Sequence, residues 1–180
     1  MIRSNPYEAA LEAYLRERRV GIVAVDEAHR SILADETVKS LDFIIYGPRG
    51  AKLLVDVKGR RFPGGPAHAP RHVWESWSTR DDLDGLARWA ECFGADYQSI
   101  LVFVYRLGDE VRLPPGTADL WEWRQRRWLF RAVSADAYRR AMRPRSPKWG
   151  TVALPAAAFR ALVRPISEFL YAGATAARPA

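Results

Sequence analysis

Apolar positions along the chain keep two rhythms, one helical and one of strands. After Asn5-Pro6, the residues Tyr7, Leu11, Tyr14 and Leu15 recur at helical spacing. Asn is a good N-cap and Pro suits the first helical position, while Arg16, Arg18 and Arg19 close the segment where the helix dipole favours cations. Val20 to Val25 predicts an apolar strand ending in Asp26-Glu27, which read as strand-end charges or as support beside a site. Two further runs, Ser40 to Tyr46 and Lys52 to Arg61, flank Gly47-Pro48-Arg49-Gly50 and predict a β-hairpin. Gly59 to His72, with three Pro, three Gly, three Arg and two His, reads as a loop leaving directly from Lys58. Ser78-Thr79 caps a helix with Asp81 and Asp82 in its first turn, an apolar stripe at Leu83, Leu86, Ala87, Ala90 and Phe93, and Gly94 as its stop. Ser99 to Tyr105 is an almost continuous apolar run, which predicts a strand covered on both faces.

Past Gly108 the pattern changes. Leu113-Pro114-Pro115-Gly116 is a break, and Trp121 to Ala132 predicts one or two strands. Ala135 to Met142 reads as a short helix, Lys148 to Leu154 as a strand, and Pro155 to Tyr171 as a helix interrupted at Pro165. The expected organisation is a core over 1–107, an α+β extension over 108–171 packed on it as one domain, and a tail over 172–180 that frays.

Composition narrows the classes. A chain of 180 residues, 48% apolar and 12% aromatic, supports one domain with a real core. A single cysteine, Cys92, excludes an internal disulfide, and with His29, His68 and His72 scattered no zinc site is expected. Neither a signal peptide nor a run approaching the ~18 apolar residues of a membrane span is visible, so a soluble, cytoplasmic protein with no membrane partner is expected. The net charge of +7 permits a polyanionic partner. Arg124, Arg126, Arg127, Arg131, Arg139, Arg140, Arg143, Arg145 and Lys148 face only Glu122 and Asp136 between Trp121 and Trp149. That excess suits phosphate contacts, and equally a solvated basic face. Trp121, Trp123, Trp128 and Trp149 suit base stacking, although core packing is the commoner fate of tryptophan.

The hairpin carries the candidate chemistry. Pairing about its turn sets Asp42 opposite Asp56, and period-two alternation turns Asp56 and Lys58 the same way, away from Val55 and Val57. Two facing carboxylates repel unless a cation sits between them, and a hard ion such as Mg²⁺ suits carboxylates plus substrate phosphate oxygens. Lys58 is then free to orient a water or hold a phosphate. Glu8 and Glu12, four apart, share one flank of the first helix. Glu8 can close a capping box with Asn5, which leaves Glu12 unexplained. The plainer alternative is that all these groups are solvated charges.

An Asp, about a dozen residues, then Asp-x-Lys on a strand resembles the PD-(D/E)XK nuclease superfamily, with Leu41-Asp42 in place of its Pro-Asp. The order helix, three strands, helix, strand matches the αβββαβ restriction-endonuclease-like core of that superfamily, an α/β fold. Pro6-Tyr7-Glu8-Ala9-Ala10-Leu11-Glu12 resembles the motif that names the HYExAFE family, with Pro6 for its His and Leu11 for its Phe. Val25-Asp26-Glu27, Lys39-Ser40-Leu41-Asp42-Phe43, Leu54 to Arg60 and Arg145 to Val152 are similar to that family too. The resemblance implies Mg²⁺- or Mn²⁺-dependent hydrolysis of a nucleic-acid phosphodiester, with DNA the expected partner and room for a homodimer. Asp42 and Asp56 would hold the metal, Glu8 or Glu12 would complete its shell, and Lys58 would serve the attacking water and the phosphate. Arg60, Arg61 and Arg71 with His72 in the loop, and Arg124, Arg126, Arg127 and Lys148 beyond it, are the expected phosphate contacts. A binding module on the same fold without turnover is the rival expectation. An enzyme acting on a non-nucleic phosphate is a third.

Overall fold

Two long strands run side by side through the centre of the molecule, Lys52–Phe62 and Gln98–Leu107, parallel and in register from Leu53 opposite Gln98 to Phe62 opposite Leu107. Parallel neighbours require a crossover, and the helix Arg80–Phe93 supplies it. The computed structural model describes residues 5–25, 31–33, 36–66 and 68–173. In chain order the elements are α1 (Pro6–Glu17), β1 (Gly21–Ala24), β2 (Ser31–Leu33), β3 (Glu36–Val38), β4 (Phe43–Tyr46), β5 (Lys52–Phe62), β6 (Ser78–Thr79), α2 (Arg80–Phe93) and β7 (Gln98–Leu107). Then follow β8 (Leu120–Trp123), β9 (Arg126–Ser134), α3 (Ala135–Ala141), β10 (Arg143–Ser146), β11 (Thr151–Ala153), α4 (Ala156–Leu162), β12 (Arg164–Pro165) and α5 (Ile166–Leu170). The main sheet is ordered β1-β4-β5-β7-β9-β12, with β8 paired to β9. A three-stranded sheet, β10-β11-β6, sits apart from it, and β2 and β3 form a small hairpin.

Alternation along β5 divides the core in two. Leu53, Val55 and Val57 join Leu11, Tyr14 and Leu15 of α1 in one cluster. Leu54 and Phe62 join Leu83 and Leu86 of α2 in the other. Ile100 to Tyr105 of β7 are buried throughout, as the unbroken apolar run requires of a strand covered on both faces. The helix starts follow their caps: the Asn5 side chain accepts from the Tyr7 N–H, and Thr79 and Asp82 form a reciprocal capping box at α2. The helix, three strands, helix, strand order of the core is thus met by α1, β1, β4, β5, α2 and β7, with the β2–β3 hairpin added.

Several expectations are corrected. β5 does not stop at Lys58; its pairing to β7 continues from Gly59 opposite Val104 to Phe62 opposite Leu107. Gly59, the first residue of the stretch read as loop, is required in the strand because a Cβ there would lie 2.4 Å from the Tyr7 ring. After Phe62 the connection runs exposed over residues 68–73 and is fixed again from Trp74 onward. Phe62 and Trp74 stack with ring centroids 3.7 Å apart, and the Tyr105 and Tyr138 hydroxyls donate to the carbonyls of Glu75 and Ser76. Lys148 to Leu154 is a 3₁₀ turn over Pro147–Trp149 followed by the short β11. Asp26, Glu27 and residues 174–180 of the expected tail lie outside the described residues. Among the described residues no helix is long and apolar enough to cross a membrane.

Candidate active site

β5 outruns its antiparallel neighbour. The last β4–β5 pair is Phe43 with Val55, so beyond Val55 the strand is paired only with β7 among the described residues. Asp42 stands one residue before β4. Its N–H bonds the Val55 carbonyl at 2.9 Å, and its Oδ2 accepts the Val57 N–H at 2.5 Å. The register therefore carries Asp42 to the position opposite Asp56, where directly paired side chains share a face. Because Val55 and Val57 turn toward α1, Asp56 and Lys58 turn toward α2. The Lys58 ammonium lies 2.6 Å from Asp56 Oδ2 and 2.8 Å from Asp82 Oδ2.

Asp82 was not among the expected site residues, and it anchors the cluster. It is 3% exposed. Its carboxylate accepts from Ser78 Oγ at 2.8 Å, from the Thr79 N–H at 2.8 Å, from Lys58 and from Lys39. The sequence signal is Thr79-x-x-Asp82: a capping box turns the carboxylate of the third helical residue back toward the helix's own N-terminus. The βα crossover then carries that terminus over β5. On charge pattern alone Asp82 is indistinguishable from Asp81, whose side chain stays exposed.

The electrostatics separate the two partners of Lys58. Burial pushes Asp82 upward, but the Lys58 charge, hydrogen bonds from Lys39 and Lys58, and the Thr79 N–H outweigh it, holding the carboxyl well below the usual range. Burial also opposes the Lys58 charge, yet Asp56 and Asp82 together raise its pKa above the ordinary value, so it stays an ammonium. For Asp56 burial wins: the carboxyl rises to about 6, with Lys58 pulling it down and Asp82 pushing it up. No hydrogen-bond donor is aimed at the buried Asp56 Oδ2 among the described residues, close as Lys58 is. A second cation beside that oxygen, in addition to the Lys58 ammonium, would relieve it further. Asp56 together with Asp42 is a donor pair that suits a hard divalent ion completing its shell with water and phosphate oxygens.

The remaining expected residues divide. α1 packs against the face of Val55 and Val57, the reverse of the face from which Asp56 and Lys58 project. Glu8 is buried and receives the Asn5 side-chain amide at 2.5 Å, and Glu12 pairs with Arg16 at 2.7 Å. Among the described residues no three His, Cys, Asp or Glu side chains gather closely enough to hold a metal. Arg60 is corrected from a loop phosphate contact to a buried strand residue, its guanidinium 3.8 Å from the Trp77 ring centroid and donating to the Trp77 carbonyl. Arg127 likewise turns inward, donating to the carbonyls of Gly108, Asp109 and Val111. Arg71 is exposed and pairs with Glu75 at 3.1 Å, and His72 is exposed beside Phe62. Arg61, Arg124, Arg126 and Lys148 are exposed. Trp128 is core, Trp121 and Trp123 pack half-buried against it, and Trp149 is 70% exposed.

No family model matches the chain, and no curated protein matches it. Among solved structures it is similar to the 1.6 Å structure of Archaeoglobus fulgidus Hjc, a Holliday junction resolvase from an archaeal hyperthermophile. The TM-score is 0.50 at 14% identity, covering 91% of this chain and 96% of that one. The shared feature is the restriction-endonuclease-like fold, a mixed sheet flanked by helices.

Proposed function

We propose that the protein is a metal-dependent nuclease that hydrolyses phosphodiester bonds in DNA. One observation carries the reading: on β5, Asp56 and Lys58 project together beside the open strand edge, opposite Asp42, in a fold shared with a Holliday junction resolvase. Asp42 and Asp56 would hold the ion, which when bound supplies Lewis-acid polarisation of the phosphate and a template for it. Glu8 and Glu12, on the reverse face of the sheet, would reach that ion only through water. Lys58 is an ammonium anchored by Asp82, so it donates to phosphate oxygens and steadies a water instead of removing its proton. Asp82, backed by Ser78 and the start of α2, fixes where that ammonium stands. Around the site, Lys148 and Trp149 follow β10 and precede β11, whose Thr151 pairs with Thr79 of the α2 cap. Lys148, with Arg71 beyond it, would then meet the backbone of a bound strand. The similarity of residues 6–12, 54–60 and 145–152 to HYExAFE proteins fits this reading and leaves the substrate open.

A second reading has its own support. The Asp42 carboxylate is engaged by the Val57 N–H and Lys58 is held between two carboxylates, which suits a binding platform without turnover. Incubation of the purified protein with plasmid, single-stranded and branched DNA and with RNA, in Mg²⁺ or Mn²⁺, separates the two. The nuclease cleaves at least one substrate, and Asp56→Asn and Lys58→Ala do not. Binding without metal-dependent cleavage establishes the platform, and an Asp56→Asn variant as fast as the parent removes this site from the reaction.

A further inference from the structure

At the far end of the central strand pair, Arg61 of β5 stands opposite Arg106 of β7. The β8–β9 turn comes alongside because β9 pairs with β7, placing Arg127 opposite Leu107. That turn is a two-residue connection, Arg124-Gln125, with φ of 50° and 58°. Both angles are left-handed, the twist such a hairpin needs and one that Asn and Gly normally provide. Placing an arginine there runs against local preference and projects its guanidinium from the tip, 4.3 Å from the Trp123 ring centroid. A concavity of about 430 Å³ results, whose lining includes Arg61, Arg106, Arg124 and Arg126 together with Asp109 and Glu110. Among the described residues none of these four guanidiniums takes part in an ion pair or a side-chain hydrogen bond. Elsewhere Arg16, Arg71 and Arg139 all pair with carboxylates.

Four converging positive groups against two acids repel one another, and a bound anion relieves that repulsion. Guanidinium forks match phosphate oxygens in pairs. Arg61 has the parity of Val55 and Val57, so it projects on the α1 side of the sheet, the reverse of Asp56. Five strand residues separate Arg61 from Asp56, roughly 17 Å at ~3.3 Å per residue. One phosphate cannot occupy both places. A strand of duplex advances ~3.4 Å per nucleotide, so that rise alone corresponds to about five nucleotides, and the path from one face of the sheet to the other lengthens it.

We propose that Arg61, Arg106, Arg124 and Arg126 form a phosphate cradle that grips nucleic-acid backbone more than about five nucleotides away from the bond at Asp56 and Lys58. The identity of the polyanion rests on the nuclease reading; the cradle does not. The test is equilibrium binding in EDTA, so that cleavage plays no part, using labelled duplex, single-stranded and four-way-junction DNA over a salt series. It compares the parent with R61Q/R124Q/R126Q and with R19Q/R140Q/R160Q, which removes equal charge from exposed positions elsewhere. All six sites are exposed, so both variants should fold, which circular dichroism checks. A lost phosphate contact changes the slope of log K against log salt by ~0.9 on duplex and ~0.7 on single strands. The cradle variant is therefore expected to flatten the slope by about 2.7 on duplex or about 2.1 on a single strand, and the control by much less. Equal change in the two variants, or none, overturns the cradle. Calorimetric titration with tripolyphosphate distinguishes the sources. Loss of tripolyphosphate binding in the cradle variant, with DNA binding untouched, overturns the nucleic-acid assignment and makes the site one for free phosphates. If the parent binds no nucleic acid the nuclease reading fails separately. Tripolyphosphate binding by the parent but not the cradle variant then supports the phosphate site, and no binding by either overturns it.

Discussion

Two substitutions on either side of one ammonium should move stability in opposite directions. Asp56 and Asp82 both contact Lys58, but their fit differs. Taking Asp56 from its ordinary 3.8 to about 6, at ~1.36 kcal/mol for each pH unit, makes its ionised form cost the fold roughly 3 kcal/mol above pH 7. Asn removes that cost while keeping the shape, and Lys58 retains Asp82 as counter-ion. Turning an amide toward an ammonium gives back about 1 kcal/mol. Asp56→Asn in EDTA at pH 8 should therefore be more stable by about 1–2 kcal/mol. Asp82→Asn removes a carboxylate with four donors aimed at it and leaves Lys58 beside a partner that is itself poorly compensated. A loss of about 3 kcal/mol is expected, the lower end of the range for a broken buried pair. Urea unfolding reads both: with a slope of ~2 kcal/mol per M, the midpoint should rise by roughly 0.5–1 M in the first and fall by about 1.5 M in the second. The pH dependence carries the same signature. A carboxyl whose folded pKa is raised binds more protons folded than unfolded between about 4 and 6, so its contribution grows as the pH falls. Between pH 7 and 5 the parent should gain about 1.3 kcal/mol relative to Asp56→Asn. Asp82 is the opposite case: its contribution is full above ~4 and is lost only as the pH falls toward its lowered folded value. If Asp56→Asn is destabilised as much as Asp82→Asn, or the parent loses stability relative to it between pH 7 and 5, the account of this cluster is wrong.

Lys58→Ala should destabilise the protein by about 3–5 kcal/mol, since two buried carboxylates lose their shared cation; denaturation in EDTA measures it, and added Mg²⁺ should restore part of the loss. Gly59→Ala drives a Cβ into the Tyr7 ring and should cost about 1–3 kcal/mol, with Tyr7→Ala in the same chain recovering much of that term in a double-mutant cycle. Tyr138→Phe removes a buried hydroxyl that donates to Ser76 at 2.7 Å and reaches Val152 at 3.1 Å, and should cost about 1–2 kcal/mol by thermal unfolding.

What was legible in the sequence was local. The β4–β5 register follows from alternation about the Gly47–Gly50 turn, and it places Asp42 across from Asp56 without any long-range information. Asp82 was hidden because its role depends on where the crossover lays the start of α2, which no pattern within the helix reveals. Arg60 and Arg61 are neighbours with opposite fates for a related reason. Once β5 continues past Lys58, parity buries one against Trp77 and exposes the other. Gly59 opens the stretch read as loop by composition, yet the glycine marks close approach by Tyr7 and not a turn. The tryptophans were beyond composition alone. Trp128 lies in the core and Trp149 in solvent because β9 is central to the sheet and the Pro147–Trp149 turn is not.

The stretch of β5 that outruns β4 has a consequence for colloidal behaviour. An unpaired strand edge beside an apolar core is a template on which another chain can add a strand, the first step toward aggregation. On this edge two of the groups that would recruit an intruder are already taken by side chains. The Val57 N–H is held by Asp42, and the Gly59 carbonyl, of the same parity, receives the guanidinium of Arg60 at 2.7 Å. Asp42 and Arg60 thus act as stoppers along a seam that must stay open if a substrate is to approach Lys58. Removing either would bare one of those groups to an incoming strand.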